Sequence, residues 1–311
     1  MAINIKRNTC YLQYTIAIFL LATSLFANAQ NKIVTGNNMD SSSKKNIYGK
    51  PRSFAFITNL PSDIVQIPKR SFNKHNIKNL LLVAGTSGAL IFADQSIYNG
   101  TRKFSDNLHL HPEERNKIIW SLKKGNKETV LLKAPKNLNT AFYNIGQGFT
   151  TLLVASGFFI QGKISKNNTS LQTASDLTES FIALGLVTQL LKYSAGRQDP
   201  IASNSDGGRW RPFPSINAFQ KDKTHYDAFP SGHLSTLMAA VTILANNYPE
   251  NKLIKPIGYS LLALSGFAMV NNGVHWAGDY PLAIGLGYLT GNIISSRHKR
   301  VAKTVSIVPV F

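Results

Sequence analysis

At 311 residues and 43% hydrophobic content, the chain is long enough for one large domain or two small ones and too apolar to be a disordered segment. Its 34 Lys and Arg against 15 Asp and Glu give a formal charge of +19, which suits an anionic partner such as a phosphorylated substrate or an anionic lipid surface. The basic residues are spread along the chain without an arginine-rich block or an RNA-binding signature, which argues against nucleic acid.

In chain order, Lys6 and Arg7 precede the apolar run 15–26, followed by Ala27-Asn28-Ala29 and Gln30. This is the layout of a secretory signal peptide, residues 1–29, and predicts export to the periplasm. Lys6 and Arg7 leave with it, so the charge falls from +19 to +17. The single cysteine, Cys10, lies inside the same segment, so no thiol, disulfide or cysteine metal site is expected in the mature chain. Residues 30–76, with the cluster NNMDSSSKKN and prolines at 51, 61 and 68, are expected to form a polar arm with little regular structure.

From residue 77 onward, apolar segments of helical length alternate with polar connections: 77–97, 141–162, 173–194, 232–248, 253–271 and 279–297. The expected class is all-α, with one helical domain over 77–297. The amphipathic stretch 112–133 is expected to add one or two short helices, and 298–311 to form a tail ending in the strand-like run TVSIVPVF. Most of the uninterrupted apolar cores are shorter than the ~18 to 20 residues a bilayer needs. Asp94, Gln95, Gln147, Gln189 and Asn246 punctuate them. The preferred reading is therefore a soluble or peripheral, membrane-associated periplasmic domain; six membrane spans is the alternative.

Three short stretches stand at helix ends. KYSAGRQDP (192–200) closes the third helix and offers Lys192 and Arg197. PSGH (230–233) opens the fourth. GVHWAGDY (273–280) lies between the fifth and sixth, with His275 and Asp279 four residues apart. Alone, each has an ordinary structural reading: Ser231 as an N-cap, Lys192 and Arg197 answering terminal carbonyls, His275 and Asp279 as a chance pair. Together they fit phosphoryl transfer. His275 attacks phosphorus through one ring nitrogen while Asp279 holds the proton on the other. His233 protonates the leaving oxygen. Lys192 and Arg197, with Ser231, Gly232 and the free N–H groups of the fourth helix, grip the phosphoryl oxygens. The scheme requires no metal and no cofactor, and the partner it predicts is a phosphorylated small molecule or lipid.

The set resembles the type 2 phosphatidic acid phosphatase superfamily, whose catalytic core is similar to that of class A acid phosphatases and vanadium haloperoxidases. The resemblance covers roughly 173–297 and implies a six-helix bundle core and hydrolysis of a phosphomonoester or lipid pyrophosphate through a phosphohistidine. It matches Lys192 to the first motif's lysine, Ser231, Gly232 and His233 to the second motif, and His275 and Asp279 to the nucleophile and its partner. The family's two motif arginines are replaced, by Asp199 and by Met269. Arg197 is the first candidate substitute and Arg211, followed by a proline as the motif arginine is, the second; both are expected at the phosphate.

Three other readings remain on these residues: a non-catalytic member that binds an anionic ligand, a vanadium haloperoxidase, and a metal hydrolase using His233, His275 and Asp279. Sensitivity to EDTA separates the last. His109, His111 and Glu113, in the insert 98–140, read equally well as solvated loop residues.

Overall fold

The computed structural model describes residues 48–112, 116–124 and 127–305. The expected signal peptide, the first part of the arm (30–47) and the end of the tail (306–311) lie outside the described residues.

The fold is all-α. Two helices, α1 (Ala55–Thr58) and α2 (Leu60–Ser71), precede the long α3 (Ile77–Asn107). A β-hairpin follows, β1 (Asn116–Lys124) and β2 (Lys127–Pro135), and then α4 (Leu138–Gly146), α5 (Gly148–Ile164) and α6 (Asn168–Ala195). After the short α7 (Ile216–Lys221) come α8 (Gly232–Asn247), α9 (Ile254–Asn271) and α10 (Tyr280–Val305).

Helix α8 is the axis of the bundle. Its sequence GHLSTLMAAVTILANN is apolar almost all round, the mark of a helix enclosed on every side. Residues of α8 enter each of three hydrophobic clusters: Leu234, Leu237 and Met238 with Leu262 and Met269; Ala240 and Ile243 with Phe158 and Leu177; Ala239 with Leu184, Leu286 and Ile293. Gly287 lets α10 lie directly against it, since a Cβ there would fall 2.3 Å from the Ser235 carbonyl oxygen.

Two expectations change. The arm carries α2, which is amphipathic: Asp63 and Ile67, one turn apart, are buried, and Val65 faces out. Ile67 packs with Leu184 and Leu286, while Arg297 of α10 joins Asp63 to Glu179 of α6. Polar residues on the outward face hid this short stripe. The stretch 112–133 forms the hairpin rather than helices; its antiparallel register pairs Lys124 with Lys127, and Gly125-Asn126, a two-residue turn signal, stands between them in the sequence. Beyond 297, the last helix continues to Val305.

Among the described residues one helix, α3, is long and apolar enough to cross a membrane, and little of its apolar window is buried. Leu81, Leu82 and Phe92 stand exposed on it, Phe92 at 95%. Phe159, Ile160 and Ile164 on α5, and Leu186 and Leu190 on α6, are exposed as well.

Candidate active site

The ends of α6, α8 and α9 meet through their loops, and backbone hydrogen bonds tie those loops together. Gly196, in the left-handed region at φ 56°, ends α6; a Cβ there would lie 1.8 Å from the Arg211 carbonyl oxygen. The chain then runs beside two others: Arg211 N–H donates to Gly196 O, and Ala228 N–H donates to Arg197 O. Ser231 caps α8, its side chain accepting from Leu234 N–H, and its own N–H donates to Asp279 O at 3.2 Å. The three stretches singled out in the sequence therefore form one unit.

His275 is buried. Its Nδ1 lies 2.7 Å from Ala228 O and 3.5 Å from Asp279 Oδ2, and among the described residues Nε2 has no hydrogen-bond partner. The closer acceptor is thus a backbone carbonyl, which fixes the tautomer with the proton on Nδ1 and leaves the Nε2 lone pair free. Asp279 does not sit one helical turn from His275. It ends a 3₁₀ turn, Ala277–Asp279, and its Oδ2 accepts from Trp276 N–H at 2.7 Å. The His233 ring stands 5.6 Å from the His275 ring, centroid to centroid, and 5.3 Å from Tyr143. Burial, reinforced by Lys192, holds His275 at about 3, so it is neutral. Burial, then the neighbouring His275 and Lys192, depresses His233 likewise.

Lys192 reaches the same place from α6, its Nζ 3.5 Å from Asp227 Oδ2. Its charge acts on His275, His233, Asp279 and Asp199 alike. Gly232 lies beside it, with a Cβ position 4.0 Å from Lys192 Cε.

Arg197 has a different neighbourhood from the one expected. It is fully buried between the indoles of Trp210 and Trp276, at 4.8 and 5.4 Å from their centroids. Nη1 donates to Asp279 Oδ1 at 2.6 Å; Nη2 donates to Asp94 Oδ2 at 2.6 Å and to Gly207 O at 2.8 Å. Only Nε lacks a partner among the described residues. The fork that a phosphoryl group would need is occupied by carboxylates, so Arg197 holds Asp279 rather than opening toward a ligand. The guanidinium of Arg211 stands 6.0 Å over the ring of Tyr226, the residue before Asp227. Met269 is core, beneath Ser231, whose Oγ lies 3.8 Å from the methionine sulfur.

Asp94 is the residue that sequence reasoning missed. Buried on α3, it accepts from Arg197 and from Gly278 N–H at 2.8 Å. The available signal was an acid inside an apolar helix, which has to be paired or used.

Residues 173–302 match the model of the PAP2 superfamily. This stretch of the chain is PAP2-like. Over 80 residues it is 28% identical to a lipid A 1-phosphatase of Porphyromonas gingivalis; that stretch is 25% of this chain and spans only 18% of the relative. The crystal structure of the first transmembrane PAP2-type phosphatidylglycerolphosphate phosphatase, from Bacillus subtilis, aligns with a TM-score of 0.39 and 13% identity, over 78% of this chain and 96% of the other. The PAP2 match runs from α6 into α10, so it takes in Lys192, Arg197, Arg211, Ser231, Gly232, His233, His275 and Asp279. It leaves Asp94 outside.

Proposed function

We propose that this chain is an exported, membrane-associated phosphatase that removes phosphate from a lipid phosphomonoester or pyrophosphate through a phosphohistidine at His275. One observation carries this reading: a buried, neutral imidazole whose Nδ1 is fixed at 2.7 Å by a carbonyl and whose Nε2 is unpartnered, with a second imidazole 5.6 Å away.

In this mechanism Nε2 of His275 forms a bond to phosphorus as the bond to the leaving oxygen breaks, and His233 gives that oxygen a proton. His233 is neutral in the empty site; the negative charge of a bound phosphate raises its pKa and recruits the proton it then donates. Water attacks the phosphohistidine, the P–N bond breaks, His233 takes the proton from the water, and inorganic phosphate leaves. Lys192 and the N–H groups at the start of α8 hold the phosphoryl oxygens. Asp279, seated by Arg197, offsets the positive charge that develops on His275.

The PAP2 match and the lipid A 1-phosphatase relative support a lipid phosphate as substrate. The exposed apolar faces of α3, α5 and α6 support association with a membrane. The test is phosphate release from lipid phosphates, lipid pyrophosphates and soluble phosphomonoesters, by the wild type and His275→Ala, with and without EDTA. Metal-independent release that the variant loses supports the proposal. Silence from a folded wild type favours a second reading, an anion-binding member, for which the burial of Met269 in place of a motif arginine is the specific observation.

A further inference from the structure

The site is short of positive charge for a phosphate. The described residues bring two fixed cations, Lys192 and Arg197, into reach of four carboxyl groups, Asp94, Asp199, Asp227 and Asp279. Arg197 is already shared by Asp94 and Asp279. That leaves Lys192 to answer both Asp199 and Asp227, and it sits on Asp227 at 3.5 Å.

Asp199 is 3% exposed, and its Oδ1 has no hydrogen-bond partner among the described residues. Its backbone is clamped, with its N–H donating to Thr224 O at 2.8 Å and Ile201 N–H donating to Gly273 O at 2.9 Å, just ahead of His275. The charged groups that act on it are Asp227 from the segment leading into α8, Lys192 from α6 and Asp279 from the turn ahead of α10. His225, in the turn that supplies Thr224, pairs with Asp222 at 2.8 Å. Lys192 and Asp227 act on His275 too, which puts Asp199 in the electrostatic neighbourhood of the nucleophile.

Lys192 is engaged by the half-buried Asp227, and a buried carboxyl group that has no cation of its own keeps its proton. We propose that Asp199 is a neutral carboxylic acid in this site and donates a hydrogen bond to a phosphoryl oxygen, replacing the motif arginine by a donor without charge. Burial, then the charge of Asp227, raises its pKa to about 9, consistent with that state at neutral pH. The consequence is a phosphate site that is strongest in acid and neutral solution and fails once Asp199 ionises. The proposal rests on the phosphatase reading for the location of the phosphate, but not on turnover.

Binding of inorganic phosphate, measured by calorimetry from pH 6 to 10 without divalent cations, tests it on the wild type, Asp199→Asn and Asp199→Ala. Phosphate's own titration is common to all three. The expected result is an affinity that falls about tenfold per pH unit in the wild type once Asp199 ionises. Asp199→Asn, which keeps a donor, should lack that fall, and Asp199→Ala should bind about tenfold or more weakly at pH 6. An alkaline fall in Asp199→Asn equal to the wild type's would assign it to Lys192 and overturn the proposal. So would equal affinity of the Asn and Ala variants at pH 6, absence of phosphate binding by the wild type, or binding that appears only on adding Mg²⁺ and depends on Asp199, which would make the acid pair a cation site. Normal phosphate binding with no turnover would instead remove the phosphatase reading and leave Asp199 as a donor.

Discussion

His275 Nδ1 lies nearer to the carbonyl oxygen of Ala228, at 2.7 Å, than to the carboxylate of Asp279, at 3.5 Å. A backbone carbonyl cannot be mutated away and does not titrate, so the orientation of the imidazole is set by the loop ahead of α8. The same loop donates a hydrogen bond from Ala228 N–H to Arg197 O, which extends the support back to the end of α6.

The first expectation concerns function apart from stability. His275→Ala loses one buried hydrogen bond, worth roughly 0.5 to 1.5 kcal/mol net, while removing the proposed nucleophile altogether. Phosphate release should fall to background and the thermal midpoint should move by only a few degrees. A variant that unfolds at room temperature would show that His275 is structural.

Arg197 and Lys192 should separate in the opposite sense. Arg197→Ala leaves Asp94 and Asp279 buried without their cation, a loss of about 3 to 5 kcal/mol. Lys192→Ala removes a charge with a single long contact to Asp227 and should cost far less stability while weakening phosphate binding. Unfolding curves beside phosphate affinities decide it; equal stability of the two variants would refute the role assigned to Arg197.

The acid dependence of stability follows from His275. Its folded pKa is depressed to about 3 from the usual 6.5, so its contribution is fully present above pH 6.5 and is lost as pH falls toward 3, because the unfolded chain takes up the proton first. Between pH 6.5 and 4 the thermal midpoint of the wild type should therefore drop relative to that of His275→Ala. Parallel curves would mean that His275 titrates normally.

Gly196→Ala should destabilise by more than about 1 kcal/mol, since the residue has φ 56° and its Cβ would overlap the Arg211 carbonyl oxygen. Because that contact joins the end of α6 to the loop carrying Trp210, activity should fall with it. A neutral substitution, read by thermal unfolding, would show that the two segments part readily.

The helical core and the convergence of the three motif stretches were legible in the sequence for a physical reason. Apolar segments long enough to be helices need no tertiary context to be recognised, and PSGH opens α8 with a cap residue that works locally. What stayed hidden depended on long-range contacts. Arg197 is followed two residues later by an acid, yet its partners are Asp94 and Asp279, 103 and 82 positions away. The seat of His275 is a carbonyl, which no side-chain pattern reveals. The hairpin is masked in the sequence because residues 112–133 carry amphipathic periodicity around the Gly125-Asn126 turn signal, and α2 because its buried stripe is only Asp63 and Ile67.

Asp94 gives the molecule a boundary different from the one its family match suggests. The long apolar helix α3, little of whose apolar window is buried, also supplies a carboxylate that receives the Gly278 amide and the Arg197 fork. A fragment limited to 173–302 would hold every motif residue and still lack the anchor that seats Asp279. Under the proposed activity, competence would thus be a property of the longer chain, and the exposed apolar helix α3 is joined to the site through Asp94, with Gln95 accepting from Gly207 N–H and Tyr98 packed on Trp276.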